Sequence, residues 1–137
     1  MANVQSLLET ALYVDDVHRA AEFYRRVFHF GVLLESDRLV ALDVAGRNVL
    51  LLFKAGATTE DYQTPGGVIP AHGGAGSIHF AFSIATDDVT FWRWRLGAEG
   101  VAVESEVNWP GGAQSLYFRD PDGNLGELIT PGFWRIF

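Results

Sequence analysis

Apolar and polar positions alternate along residues 79–84, His-Phe-Ala-Phe-Ser-Ile, so that His79, Ala81 and Ser83 share one face of a strand and Phe80, Phe82 and Ile84 the other. Residues 9–14 carry the same alternation, with Glu9, Ala11 and Tyr13 opposite Thr10, Leu12 and Val14. An aspartate pair follows each strand, Asp15-Asp16 and Asp87-Asp88, in position to cap a helix N-terminus. Beyond the first pair, Val17, Ala20, Ala21, Tyr24, Val27 and Phe28 recur at helical spacing until Gly31, which predicts an amphipathic helix stopped there. Beyond the second, Val89, Trp92 and Leu96 predict a helix ended by Gly100, with Trp92 and Trp94 as packing residues. Short β segments then follow at 32–35, 39–44 and 48–53 in the first half and at 101–103, 114–118 and 124–130 in the second. Asp120-Pro121-Asp122-Gly123 joins the last two through a tight turn.

The order β-α-β-β-β therefore occurs twice, in modules of about 7–53 and 77–130 joined by a Gly-rich loop, 54–76. Neither half is large enough to bury both faces of its sheet, so pairing is expected within one domain, 1–137. The fold class is α+β, two tandem β-α-β-β-β modules whose mixed sheets curve around a cleft. Strongly curved sheets leave apolar edges, and a homodimer is expected to cover them.

Composition narrows the functions available. A formal net charge of -7 disfavours nucleic acid and anionic membrane as partners and tolerates a cationic ligand. No cysteine is present, which removes disulfides and a thiol nucleophile. The start, Met-Ala-Asn-Val-Gln-Ser, lacks a basic-then-apolar leader, and no stretch approaches a membrane span, so a cytoplasmic location is expected.

Candidate chemistry lies on the less bulky strand faces. In a hairpin centred on Asp120 to Gly123, Tyr117 falls opposite Glu127 and shares its face. If the first strands of both halves lie beside the final strand, Glu9, His79 and Glu127 converge. One histidine and two carboxylates make a facial site for a hard divalent cation with open positions. The alternative is a metal-free network in which protonated His79 bridges the two carboxylates. Tyr13, Phe53, Trp109 and Trp134 are candidate walls of an apolar ligand pocket, whereas His72 in the joint loop reads as solvent-exposed, and His18 and His29 as surface or packing residues.

The tandem modules, the strand-Asp-Asp-helix openings and the run Tyr117-Phe118-Arg119-Asp120-Pro121-Asp122-Gly123-Asn124 closing toward Glu127 resemble the vicinal oxygen chelate superfamily. That group spans glyoxalase I, extradiol dioxygenases and the fosfomycin- and bleomycin-resistance proteins. The resemblance implies a divalent ion (Mn, Fe, Mg, Zn or Ni) held by Glu9, His79 and Glu127, with Glu9 where His or Gln is commoner. The fourth ligand position of glyoxalases falls on Leu51, which cannot ligate. Three functions follow from the resemblance. The first is a metalloenzyme chelating vicinal oxygens of a small substrate for lyase, isomerase or dioxygenase chemistry, with Glu127 or Glu9 as general base and Tyr13, Phe53, Trp109 and Tyr117 against the substrate. The second is a bleomycin-resistance-like protein that sequesters a bulky ligand without turnover. The third is a fosfomycin-resistance-like thiol transferase, for which Arg119 and Arg47 are the nearby basic candidates.

Overall fold

Leu12 and Val14 point to one side of the first strand and are 1% exposed, while Thr10 at its start stays exposed. This strand opens the computed structural model, which describes residues 1–137 and divides into two units, Met1–Ala75 and Gly76–Phe137. In the first unit β1 (Glu9–Val14) is followed by α1 (Val17–Phe28), β2 (Gly31–Glu35), β3 (Leu39–Val44) and β4 (Asn48–Lys54). The sheet order is β1-β4-β3-β2, with β1 and β4 parallel and the remaining pairs antiparallel. A parallel pair needs a crossover, and α1 begins it, lying on β3 and β4.

The helix forms where its apolar spacing placed it. Ala20, Tyr24 and Val27 are fully buried, and the Asp16 carboxylate accepts hydrogen bonds from the backbone N–H groups of His18 and Arg19 at 3.0 and 3.1 Å. Its end differs from expectation. His29, not Gly31, takes the left-handed conformation, at φ 59°, and its N–H reaches the Arg25 carbonyl at 2.9 Å. A polar residue tolerates that conformation better than a bulky apolar one, and the early stop lets Phe30 stack on Phe28 at 5.6 Å.

The joint loop is not structureless. Around Pro65-Gly66 it folds into a small hairpin of β5 (Tyr62–Thr64) and β6 (Gly67–Ile69). The second unit then repeats the first as β7 (His79–Ser83), a 3₁₀ turn over Thr86–Asp88, α2 (Val89–Ala98), β8 (Ser105–Asn108), β9 (Gln114–Arg119) and β10 (Leu125–Ile129). The order β7-β10-β9-β8, with β7 and β10 parallel, reproduces the topology of the first sheet. The tandem β-α-β-β-β reading thus holds.

Three local expectations are corrected. The strand expected at 101–103 lies instead at Ser105–Asn108, because Val101 is spent on burial, 8% exposed, while the polar run pairs with β9 as a sheet edge. Asp88 occupies the N-cap of α2 without a side-chain cap bond, the preceding 3₁₀ turn having taken its place. Trp94 is 62% exposed rather than packed, since the apolar residues of α2 do not gather on one face, being interspersed with Arg93 and Arg95, and only Val89 and Leu96 are buried.

Candidate functional site

One turn sets the geometry of the second sheet. Asp120 Oδ1 accepts from the N–H groups of Asp122 and Asn124, both at 2.9 Å, and Oδ2 from the Asn124 amide at 3.0 Å. Asn124 Oδ1 in turn accepts from the N–H of Ile78 at 3.2 Å, just before β7. The aspartate and the asparagine are buried, so these bonds replace water for both. The turn therefore fixes β10 against β9 and against β7 together, pairing Leu125 with His79, and Glu127 with both Ala81 and Tyr117.

That register brings His79 and Glu127 to one place, with His79 Nε2 3.2 Å from Glu127 Oε1. The other ring nitrogen, Nδ1, lies 2.9 Å from the Leu125 carbonyl oxygen, which only accepts, so Nδ1 carries a proton and donates. Nε2 is then left facing a carboxylate whose side chain is 8% exposed, while the imidazole remains about half open at 51%. A bare nitrogen lone pair opposite a carboxylate oxygen is repulsive, and the arrangement calls for a proton or a metal cation at Nε2.

The rest of Glu127 is held by neutral donors. Ser115 Oγ donates to Oε2 at 2.5 Å and itself accepts from Trp109 Nε1 at 2.9 Å, a relay from indole to hydroxyl to carboxylate. Burial first, then the charge of Glu127 and its hydrogen bond, push the Tyr117 phenol above its ordinary value, with a bond to Ser115 opposing. Tyr117 consequently remains an O–H donor at neutral pH. Around the carboxylate opens a cavity of about 170 Å³ lined by Ala81, Trp109, Tyr117, Ile129, Phe133 and Trp134.

The candidates of the first unit occupy the sheet face away from α1. Glu9, Tyr13, Leu51 and Phe53 share that face through the β1–β4 register, and Glu9 is exposed. Tyr13 stacks on Phe53 at 5.9 Å and 21°, and its hydroxyl lies 2.6 Å from His72 Nδ1. His72 is half-buried rather than solvent-exposed. Thr58 clamps its backbone in both directions, N–H to carbonyl at 2.8 Å and hydroxyl to carbonyl at 2.6 Å. Gly74 permits the loop to lie on the tyrosine, since a Cβ there would come within 2.7 Å of the ring. Neither unit by itself gathers three or more His, Cys, Asp or Glu side chains into a group able to hold a metal.

Sequence reasoning missed Ser115, which reads as an ordinary strand residue, and the contribution of Phe133. The only signal for Ser115 was its place two residues before Tyr117, on the same face. Of the basic candidates, Arg119 is engaged at the turn by Glu104 at 2.9 Å, Ser77 at 2.9 Å and the Gly123 carbonyl at 3.1 Å.

Two four-stranded mixed-sheet modules with one α-helix each, the second carrying the His79–Glu127 pair, define a tandem-module α+β fold. Residues 6–128 match the Glyoxalase/Bleomycin resistance protein/Dioxygenase superfamily, and the chain belongs to it. The solved lactoylglutathione lyase from Agrobacterium tumefaciens is 36% identical, with a TM-score of 0.88 over 98% of this chain and 99% of that one. A metallothiol transferase FosB from Bacillus licheniformis is 29% identical over 85% of this chain and 70% of that protein. Catechol-2,3-dioxygenase from Bacillus subtilis is 29% identical over 87% of this chain, which spans 39% of the dioxygenase's length. No helix is long and apolar enough to cross a membrane.

Proposed function

We propose that the protein is a metal-dependent enzyme acting on a small molecule with two neighbouring oxygens. The observation that carries this is His79 Nε2 aimed at Oε1 of buried Glu127 at 3.2 Å, an imidazole–carboxylate pair whose charge and softness suit a divalent ion. His79 and Glu127 would hold the ion, and Glu9 is proposed as the third ligand. Bound there, a divalent ion would supply Lewis-acid stabilisation of negative charge developing on a substrate oxygen.

The chain's own side chains do the remaining work. The Leu125 carbonyl keeps His79 in the Nδ1–H tautomer, and Ser115 orients Glu127 through Oε2, leaving Oε1 for the ion or for a substrate proton. Tyr117, held protonated, donates to oxygen at the site. Two carboxylates and one imidazole neutralise a divalent charge, which favours Mn²⁺, Fe²⁺ or Mg²⁺, with Zn²⁺ or Ni²⁺ admitted by availability. Engagement of Arg119 in the turn weighs against the phosphonate-binding alternative. The same reading includes a homodimer, supported by the apolar residues Val32, Leu33 and Leu34 exposed along edge strand β2.

Calorimetric titration of purified protein with MnCl₂ is the test. About one ion per chain is expected, lost in Glu127→Ala and His79→Ala and weakened in Glu9→Ala. Equal retention by all three variants would place the metal elsewhere. No binding of any of the five metals would leave the ion pair of protonated His79 with Glu127 as the occupant.

A further inference from the structure

Beyond β10 the chain does not leave the sheet. Gly132 N–H bonds to the Phe137 carbonyl at 2.9 Å, and Phe137 N–H to the Trp134 carbonyl at 3.1 Å, closing residues 132–137 into a compact loop. Gly132, at φ 113°, lies against the turn at 110–112, where a Cβ on Gly111 would approach the Gly132 carbonyl at 3.3 Å. This contact sets the Phe133 ring on Trp109 at 4.4 Å and 37°, and Trp134 against Phe133 at 4.8 Å and 73°.

We infer that residues 131–137 form a specificity strap: Phe133 and Trp134 extend the Trp109 ring into an aromatic wall over Glu127 that selects a planar, uncharged ligand about the size of one aromatic ring. Three features converge on that class. The cavity, about 170 Å³, is on the scale of an apolar void that holds one benzene molecule. Its walls are Ala81, Ile129 and four aromatic residues, and Glu127 is the one charged group lining it, so the surface offered to a ligand is mostly apolar. Trp109 is pinned by Ser115, whereas Phe133 and Trp134 keep 39% and 60% of their surface exposed, leaving apolar area for a flat ligand to cover.

The inference rests on the proposed metal site only for the handling of the two oxygens; ring selection belongs to the strap. Calorimetry with catechol and with cis-1,2-cyclohexanediol, which offers neighbouring oxygens on a non-planar ring, separates the two. Both ligands are titrated into the full chain after MnCl₂ loading and after EDTA treatment. The intact chain is expected to prefer catechol by about tenfold or more in at least one preparation, and Trp134→Ala and Phe133→Ala each to lower catechol affinity by about tenfold while moving the diol less than about twofold. Both residues are partly exposed, so these variants test the strap even where a chain ending at Thr130 fails to fold. A missing catechol preference in both preparations, or a preference untouched by both variants, would overturn the strap. Loss of manganese binding with ring selection intact would overturn the metal reading alone.

Discussion

Alanine at Gly126 drives a methyl group into the face of a buried phenylalanine. Gly126 pairs with Phe118 across β9 and β10, and a Cβ at this position would sit 2.1 Å from Phe118 Cζ and 2.6 Å from both Cε atoms. Carbon atoms rest in contact at roughly 3.5–4.0 Å, so the ring must retreat by about 1.5 Å. It has nowhere to go. Phe118 is fully buried, and Phe80 stands edge-on at 6.2 Å. Overpacking of this kind costs about 1–3 kcal/mol, and an overlap this deep belongs at the upper end, about 3 kcal/mol. For a chain of this length that corresponds to a fall of roughly 10 °C in Tm. Thermal and urea melts followed by circular dichroism measure it. Phe118→Leu removes the atoms that collide, so the double variant should be more stable than the sum of the single changes by about 1 kcal/mol or more. A Gly126→Ala change within about 0.5 kcal/mol of neutral, or an equal cost in the Phe118→Leu background, would refute the argument.

Ser115→Ala leaves Glu127 Oε2 and Trp109 Nε1 without their shared partner, and the structure should lose about 1–3 kcal/mol in a urea melt, with weaker manganese binding by calorimetry. Ser115→Thr, which keeps the hydroxyl, should recover most of the metal affinity; failure to do so while stability is restored would deny Ser115 its orienting role. His18, on the exposed face of α1, lies 3.2 Å from Asp37 and 3.1 Å from Glu35, and these bonds raise its pKa above the ordinary 6.5. The stabilisation is complete below the unfolded-state value and disappears as pH rises through the higher folded-state value. Urea midpoints of the parent chain and His18→Gln should therefore differ at pH 5 and converge by pH 9, and a constant difference across that range would remove His18 from the pH dependence.

How far the residues announced the fold depends on whether a local signal and the tertiary packing agreed. Around α1 they did: the apolar stripe, Asp16 and the buried Tyr24 all point to the same helix. Asp120 to Gly123 was similarly legible, because its side-chain bonds are local and determine which residue faces which across β9 and β10. Strand β8 was not, since an edge strand needs no apolar face and Ser-Glu-Val-Asn carries none, while the more apolar Val101 to Val103 served as connection. At the site, the strand face of His79 was readable from alternation and that of Glu127 from the hairpin register with Tyr117, whereas their role as ligands came from the family resemblance and is a proposal. Ser115 and the position of Phe133 depend on what folds back over the strand, and no strand-length pattern records that. Glu9 was named from its equivalent place in the first module; it lies on β1 of the first unit and awaits the metal titration.

The buried turn at Asp120 and Asn124 has a consequence for how such a protein can change. It fastens β7, β9 and β10 at one end, while the Gly126–Phe118 contact locks the face of the sheet turned away from Glu127. Positions 81, 109, 129, 133 and 134, which surround the carboxylate, belong to neither fastening. Variation there alters what the protein can admit without disturbing how its strands are aligned. A combinatorial library restricted to those five positions should retain soluble expression while its members diverge in ligand preference, so that new recognition can be acquired in small, viable steps.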